Sequence, residues 1–318
     1  MTEVLELRPP DVVNLAGQET DRDHLSHSSI GTKLNCPKKY DWHYNQRLEL
    51  IEGPRALGLG KAFQKAIEHQ DPEAGVRALR EAAPLARDQK QEDRLQIEEA
   101  TVRAGAKLYL KRWPGGVDEA REYQYRVRLR SPWTGRPSMS FDLLGYADGI
   151  VDAAAGLELI ENKFVGQISE LGVRKLRLDR QVGLSCYGLW RALGKEVRVV
   201  RYRYVRKPSI KPKQNESIPE FCERLEADYA DPGRRDFYSH AEDLFRTAED
   251  LALIEAELWE WAEQLRHAKR RGFFTRNTSH CHDFGGCPYI PLCVGDPDAK
   301  SLYRERPVRE LEEEAKAK

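Results

Sequence analysis

The sequence predicts an α/β protein in which a mixed central sheet is flanked by helices. Residues 123–205 contain strand-like runs that alternate apolar and polar side chains, whereas helical spacing precedes, interrupts and follows these runs. The resulting order of strand, strand, strand, helix and strand is typical of a mixed sheet with a helix packed on it. With 318 residues, 40% of them hydrophobic, the chain can bury one large core, and we expect a single folded unit.

The composition narrows the class of protein. Lys plus Arg and Asp plus Glu both number 52, so bulk charge cannot attract a polyanion and any such contact needs a local patch. No apolar run has the length of a membrane span, and the polar start, residues 1–23, lacks a signal-peptide core. We therefore expect a cytoplasmic protein without membrane contact, in which clustered cysteines favour metal binding over disulfides.

The N-terminal third is expected to be helical. Ser28 or Ser29 can cap a short helix that leads to Cys36, which would then lie at a helix junction. Residues 60–111 are rich in Ala, Leu, Arg, Glu and Gln and show no alternation, which predicts two or three helices.

The middle of the chain carries the predicted sheet. Strands are expected at 123–129, 141–151 and 157–165. A helix at 177–193 and a fourth strand at 197–205 follow them. Ala155 and Gly156 form the turn between the second and third strands, and residues 218–229 are expected to be helical.

The C-terminal part combines a long helix with an irregular loop. Apolar residues recur at helical spacing from Leu251 to Leu265, and beyond Arg271 the sequence is rich in Cys, Gly and Pro. The chain is predicted to divide into a flexible start (1–25), a helical region (26–118), a core region (119–240), a long helix with the cysteine loop (241–295) and a charged tail (296–318).

Three charged residues on the second and third strands form a candidate catalytic group. Side chains two apart on a strand share a face, so Glu161 and Lys163 point the same way, and Asp148 can join them from the neighbouring strand. Two such carboxylates would repel each other unless a hard divalent cation lay between them, and a lysine could stabilise charge developing on a phosphorus atom. The alternative is an exposed hairpin face, although the apolar neighbours of Glu161 argue against it.

With these residues the sequence resembles the RecB-like branch of the PD-(D/E)xK nucleases, which includes AddB-type and CRISPR-associated iron-sulfur exonucleases and phage-encoded relatives. The resemblance extends from Ser28 to Cys293 and implies a restriction-endonuclease-like fold. It also implies Mg²⁺ or Mn²⁺, bound by Asp148, Glu161 and the main-chain carbonyl of Asn162, with Lys163 as a catalytic residue.

Two further positions depart from the family pattern. Gln181 matches the glutamine of a Gln-x-x-x-Tyr motif, but Ser185 stands at the tyrosine spacing and the nearest tyrosine is Tyr187. Small residues on the same helix would let Gln181 approach the carboxylates, and the alternative is a surface polar residue. Gln64 stands where the family places a histidine ligand, and an amide oxygen is a weaker ligand that leaves a second metal ion in doubt.

A basic segment adjoins the candidate catalytic strands. Residues 174–213 contain thirteen Lys or Arg and two acidic residues, an excess of eleven positive charges. Cations can bind phosphates, and the interleaved Tyr202 and Tyr204 could stack on unpaired bases. The alternative is neutralisation by acidic helices such as 249–263. The predicted DNA contacts are Arg174, Lys175, Arg177, Tyr187, Arg201, Arg203, Arg206 and Lys207.

Four cysteines near the two ends of the chain form a second candidate site. Five residues separate Cys281 from Cys287, and five separate Cys287 from Cys293, with Cys36 as the distant fourth. Four thiolates can hold Zn²⁺ or a [4Fe-4S] cluster, and spacing alone does not choose between them. The resemblance implies the cluster, in a lobe that joins the N- and C-terminal segments.

Together these features predict a metal-dependent deoxyribonuclease, an exonuclease that acts on single-stranded or end-containing DNA in recombination, repair or phage replication. Recombination or replication proteins are its expected partners. The alternatives are a structure-specific or spacer-processing endonuclease, a catalytically weakened DNA-binding subunit of the same fold, and a zinc-stabilised interaction protein.

Overall fold

The computed structural model describes residues 7–18, 20–51, 58–83, 88–114, 121–154, 156–283 and 286–307, which form eight strands, eleven α-helices and short 3₁₀ and π-helical turns. The strands are β1 (Asp23–Leu25), β2 (Leu48–Leu50), β3 (Arg121–Arg130), β4 (Pro137–Ala153), β5 (Gly156–Val165), β6 (Val197–Arg206), β7 (Ser239–Leu244) and β8 (Tyr303–Glu305). The helices are α1 (His27–Asn35), α2 (Pro37–Tyr40), α3 (Leu59–Glu68), α4 (Pro72–Ala82), α5 (Gln89–Arg112), α6 (Glu170–Lys175), α7 (Arg180–Leu193), α8 (Ile218–Ala230), α9 (Arg235–Tyr238), α10 (Ala248–Arg271) and α11 (Ile290–Val294).

A six-stranded mixed sheet forms the centre of the molecule. Its strands lie in the order β1, β4, β5, β6 and β7, and β3 also pairs with β4. The pairs β1–β4 and β5–β6 are parallel, whereas β3–β4, β4–β5 and β6–β7 are antiparallel. The predicted mixed sheet with flanking helices is therefore confirmed, and the four predicted strands correspond to β3, β4, β5 and β6.

Helix starts differ from the sequence expectation because of capping. Ser26, not Ser28 or Ser29, caps α1: its hydroxyl accepts from the Ser29 amide, and the Ser29 hydroxyl accepts in return from the Ser26 amide. Asp179 caps α7 by accepting from the Val182 amide, so this helix begins at Arg180 rather than at residue 177. The predicted helical stretch 60–111 forms three helices, α3, α4 and α5.

The two faces of the sheet are covered by different helices. On one face α7 and α10 pack on β3–β6 around side chains that include Tyr125, Leu159, Tyr187, Tyr202 and Leu258. On the other face α3, α4, α5 and α8 enclose a second core that includes Phe63, Tyr109, Phe164, Val205 and Phe221. Apolar stripes at helical spacing form both cores, as expected for helices that each bury one face.

Close approach between α7 and the sheet depends on glycine. A Cβ atom at Gly188 would lie 2.1 Å from a ring carbon of Tyr125, and one at Gly145 would lie 2.1 Å from the Tyr125 hydroxyl. The buried Tyr125 side chain fills this space between β3, β4 and α7. The predicted role of small residues on α7 therefore agrees with the packing.

Segments near both ends of the described part of the chain pack against the rest of the molecule. Within the segment predicted to be flexible, the Asn14 side chain donates to the Gln124 carbonyl at 3.0 Å, and β1 extends the sheet. At the other end β8 pairs with β2, and Tyr289 donates to the Leu48 carbonyl at 2.6 Å. The expected division into regions remains a prediction. None of the helices described here combines the length and apolar character that crossing a bilayer requires.

Candidate active site

The predicted catalytic residues lie together on β4 and β5. Gly149 and Ile160 are the last paired residues of the β4–β5 ladder. Asp148 and Glu161 are the next residues on the two strands. Asp148 accepts a hydrogen bond from the Asn162 amide at 2.9 Å, which holds its carboxylate across the gap between the strands. The register of one hairpin thus brings the two carboxylates side by side.

Lys163 connects β5 with α7. Its ammonium donates to Glu161 Oε1, and it donates to Gln181 Oε1 at 2.7 Å. Gln181 lies in the first turn of α7, whose start is set by the Asp179 cap. Gln181 therefore reaches the carboxylate cluster, as the sequence suggested, and is not a free surface residue.

Burial dominates the electrostatics of this cluster. Glu161 is 1% exposed, and desolvation raises its pKa despite the nearby Lys163 ammonium. Desolvation, and next the charge of Glu161, raise the pKa of Asp148 well above its usual value. Desolvation lowers the pKa of Lys163, but Glu161 and Asp148 more than offset it, so the net pKa is raised and the side chain is a cation.

A divalent cation fits this donor set. Glu161 Oε2 is buried and has no hydrogen-bond partner among the described residues, although its other oxygen is bonded to Lys163. A buried carboxylate oxygen without a partner is costly, and a hard cation shared with Asp148 would satisfy it. No group of three or more His, Cys, Asp or Glu side chains in the described ranges is arranged to hold a metal ion, so further ligands would have to come from elsewhere.

The Asn162 side chain faces away from this cluster. Its Oδ1 accepts from the Tyr109 hydroxyl at 2.7 Å, and Arg203 donates to the same hydroxyl at 3.1 Å. Only the main chain of Asn162 is therefore on the side of Asp148, where its amide is already used. The predicted ligand role of its carbonyl remains a prediction.

Helix α3 brings a carboxylate that the sequence analysis missed. Gln64 is half-buried on α3, and its predicted ligand role remains a prediction. Glu68 lies one helical turn further on, and its charge contributes to the raised pKa of Asp148. Residues four apart share a helix face, so the spacing between Gln64 and Glu68 could have identified Glu68 from the sequence.

Several residues predicted to contact DNA are engaged within the fold. Arg201 binds Glu158 at 2.8 Å and Asp243 at 3.0 Å. Arg203 bonds Tyr109, and the Arg206 guanidinium lies 4.2 Å from the Phe237 ring centre. Lys207 lies 5.7 Å from the Phe164 ring centre. The two carboxylates offset the charge of Arg201, and the other contacts hold the side chains of Arg203, Arg206 and Lys207 against the protein.

Three exposed cations precede α7 in the sequence. Arg174, Lys175 and Arg177 are exposed on α6 and the turn that follows it, and none forms an ion pair within the residues described. This turn leads directly into α7 and Gln181. With the half-buried Arg180, these residues concentrate positive charge in the segment that leads to Gln181.

The tyrosines expected to contact nucleic acid are core residues. Tyr187 is fully buried, and its hydroxyl donates to Glu255 Oε1 at 2.7 Å between α7 and α10. Tyr202 is 0% and Tyr204 8% exposed, and their rings stack on each other 5.8 Å apart. Their predicted contacts with DNA bases are wrong, because two helices cover this face of the sheet.

The four candidate ligand cysteines lie in two segments that touch. Cys36 Sγ accepts from the Asn277 amide at 3.4 Å, and Asn277 also donates to the Asn35 carbonyl at 2.8 Å. Burial raises the pKa of Cys287, and the thiols of Cys281 and Cys293 are close enough to raise it further. All six cysteines of the chain are free thiols, and among the described residues they form no group of three or more that is arranged to hold a metal ion, so the predicted cluster remains a prediction.

The fold and the carboxylate-lysine group define a nuclease class. The family model for the PD-(D/E)XK nuclease superfamily matches residues 24–294, and this chain belongs to that superfamily. Membership indicates a metal-dependent nuclease that binds DNA and, like the superfamily in general, uses Mg²⁺ or Mn²⁺. No curated protein matches the chain.

Proposed function

We propose that this protein is a deoxyribonuclease whose active site is formed by Asp148, Glu161, Lys163 and Gln181. The observation that carries this proposal is the buried Glu161 carboxylate, which has one oxygen bonded to Lys163 and the other without a partner among the described residues. Such an oxygen adjacent to a second carboxylate suits a divalent cation better than a structural ion pair.

Different residues of the chain would have different roles in phosphodiester hydrolysis. Asp148, Glu161 and the Asn162 carbonyl would hold the cation. When bound, the cation would polarise the scissile phosphate and lower the pKa of a water molecule. Lys163 places a positive charge next to the reacting phosphate, where it stabilises negative charge that develops there. Gln181 orients Lys163 through the 2.7 Å hydrogen bond, so that the ammonium does not turn wholly toward Glu161.

DNA would reach the site along the α6 segment. Arg174, Lys175 and Arg177 offer exposed cations for phosphates immediately before α7. We propose an exonuclease that acts on single-stranded or end-containing DNA, in recombination, repair or phage replication. The substrate preference and the pathway rest on the resemblance to the RecB-like branch.

A nuclease assay with Mn²⁺ after anaerobic purification tests the function. Labelled linear single strands should be degraded, and circular single strands should stay intact because an exonuclease needs an end. Cleavage of the circle would favour the alternative, a structure-specific or spacer-processing endonuclease. No Mn²⁺-dependent cleavage of any DNA would contradict the catalytic proposal.

A second candidate is a DNA-binding subunit with a weakened active site. Gln64 favours it, because an amide oxygen replaces the stronger histidine ligand of the family pattern. DNA binding without cleavage in the same assay would support this alternative.

We further propose that Cys36, Cys281, Cys287 and Cys293 hold a [4Fe-4S] cluster, with zinc as the alternative. The contact between Asn277 and Cys36, and the closeness of Cys281 and Cys293 to Cys287, support a shared site. Thiolates are the preferred ligands of both groups. Iron, sulfide and zinc analysis of the purified protein distinguishes the cluster from zinc.

A further inference from the structure

An open groove lies between α1 and the C-terminal end of α10. Its volume is about 470 Å³, within the range of ligand sites in proteins, and its walls include Lys33, Gln264, His267, Arg271 and Phe273. The described residues that line it include no carboxylate. Arg271 and His267 are exposed, whereas Lys33 is nearly buried. The groove therefore presents positive charge that no acidic wall residue offsets.

Lys33 is a nearly buried cation in the wall of this groove. It is 8% exposed, and its ammonium donates to the side-chain oxygen of Gln264, which is a neutral acceptor. Burial lowers the pKa of this ammonium, and no carboxylate among the described residues raises it in return. An ammonium has three donors, and burying one without a negative partner is costly. An anion bound in the groove would offset this cost.

The groove also carries an exposed aromatic ring. Phe273 is 67% exposed, and it follows Arg270 and Arg271, which are exposed and form no ion pair with any residue that the structure describes. Proteins that hold single-stranded nucleic acid combine such features: cations bind the phosphates, and aromatic rings stack on the bases. A ring that stacks on a base requires a base that is not already paired and stacked within a duplex.

The groove begins close to the start of α7. A Cβ atom at Gly31 on α1 would lie 3.2 Å from Arg180 Nη2, and the Arg180 guanidinium lies 5.9 Å from the ring centre of Trp261 on α10. The hydrogen bond between Lys33 and Gln264 joins the same two helices within about one turn of these contacts. Arg180 is next in sequence to the candidate catalytic amide on α7. The two helices that form the groove therefore also contact the helix that carries this amide.

We propose that this groove binds single-stranded DNA that extends from the active site, with a phosphate held by Arg271 and Lys33 and a base stacked on Phe273. The inference rests on the proposed nuclease function and adds a second part to its substrate site. The unopposed charge favours a polyanion, and the exposed ring favours unpaired bases. From Gln264 to Arg271 the helix advances about 10 Å, which is roughly the length of three stacked nucleotides.

Binding of a fluorescently labelled single strand in EDTA tests the phosphate contact. Arg271→Ala should weaken binding and reduce the slope of log Kd against log salt concentration by about one, because one phosphate contact is lost. Lys90→Ala is the matched control, since Lys90 is an exposed cation on α5, which packs on the other face of the sheet. It should keep the wild-type Kd and salt dependence.

The base contact is tested by Phe273→Ala. Single-strand binding should weaken roughly tenfold or more, as on loss of one base–aromatic stack, whereas binding of a blunt duplex should not change. Phe273→Trp should restore single-strand binding, because an indole also stacks. With Mn²⁺, Phe273→Ala should raise KM on a long single strand and leave kcat unchanged, because the ring lies away from the reacting phosphate.

The outcomes separate this inference from the proposed function. If wild-type protein cleaves DNA while Arg271→Ala and Phe273→Ala bind single strands as tightly as wild type, only the inference fails. Equal losses by Phe273→Ala on single strands and blunt duplexes would also overturn it, as would variants that change the molecular mass in solution but not DNA binding, since the groove would then join two copies of the chain. If the variants lose single-strand binding as expected but the wild-type protein does not cleave, the proposed function fails and the groove remains a DNA-binding site.

Discussion

Lys163 is the residue on which the geometry of the candidate active site depends most. Its ammonium bonds Glu161 on its own strand and Gln181 on α7, and it offsets part of the repulsion between the buried Glu161 carboxylate and the half-buried Asp148 carboxylate. One side chain therefore combines a chemical role with a structural one, and its replacement should affect both.

Replacing Lys163 with Ala should reduce DNA cleavage by at least about 100-fold, because it removes the cation next to the reacting phosphate. The melting temperature should also fall, since the buried Glu161 carboxylate loses its ionic partner. Lys195→Ala is the control, because the Lys195 pair with Asp152 is exposed and such pairs contribute little. Wild-type cleavage by Lys163→Ala would exclude this residue from the mechanism.

The raised pKa values of Asp148 and Glu161 predict a pH dependence of stability. A carboxyl whose pKa is higher in the folded than in the unfolded chain binds its proton more strongly when folded. It therefore stabilises the fold at low pH, and this stability is lost as the pH rises through the raised pKa. In EDTA the wild-type melting temperature should fall over that range.

Asp148→Asn should weaken this decline, because an amide does not titrate. Mn²⁺ should restore stability at the upper end of the range, since the cation binds the ionised carboxylates. Thermal unfolding across pH, with and without Mn²⁺, measures both effects. Identical pH profiles for the wild-type and Asp148→Asn proteins would contradict the assignment.

At the scale of elements, the position of α7 relative to the sheet determines whether Gln181 reaches Lys163. Tyr125 fills the space between the helix and the strands, and the absence of side chains at Gly145 and Gly188 makes room for it. The catalytic amide is thus positioned by packing that is distant from it along the helix.

Gly188→Ala should destabilise the protein by roughly 1–3 kcal/mol, because the added methyl group would overlap the buried Tyr125 ring. Gly60→Ala is the matched control, since no atom lies within 4 Å of the added Cβ on α3. It should stabilise the helix by up to about 1 kcal/mol. Urea unfolding measures both, and equal stability of the two variants would show that α7 can move away without cost.

At the scale of the whole molecule, segments from both chain ends meet. The β2–β8 pair and the contacts of Cys36 with Asn277 join residues that are far apart in sequence. A metal centre shared by these segments would close a very long loop, so its loss should lower the stability of the whole chain.

Cys36→Ser should therefore lose bound iron and lower the melting temperature. Cys222→Ser is the control, because this half-buried cysteine lies on α8, where its thiol donates to the Gln96 carbonyl at 3.7 Å. It should keep its iron. Iron and sulfide analysis together with thermal unfolding test this, and wild-type iron content in Cys36→Ser would exclude Cys36 as a ligand.

The sequence alone determined the succession of four of the eight described strands along the chain, the helical first third and the grouping of Asp148 with Glu161 and Lys163. These features follow from local periodicity: side chains two apart share a strand face, and a short hairpin fixes the register of its strands. The position of Gln181 could also be predicted from the sequence, because the spacing of small residues on α7 indicates close packing on the sheet.

Only the tertiary structure decided which side chains remain available for function. Arg201 finds its partners on β5 and β7, Tyr187 finds Glu255 on α10, and Glu68 approaches Asp148 from α3. The charge and periodicity of a segment do not reveal such partners, because they come from parts of the chain that meet only when the fold is complete. Burial and pairing are properties of the assembled layers, and they separate a residue that can bind DNA from one that holds the core.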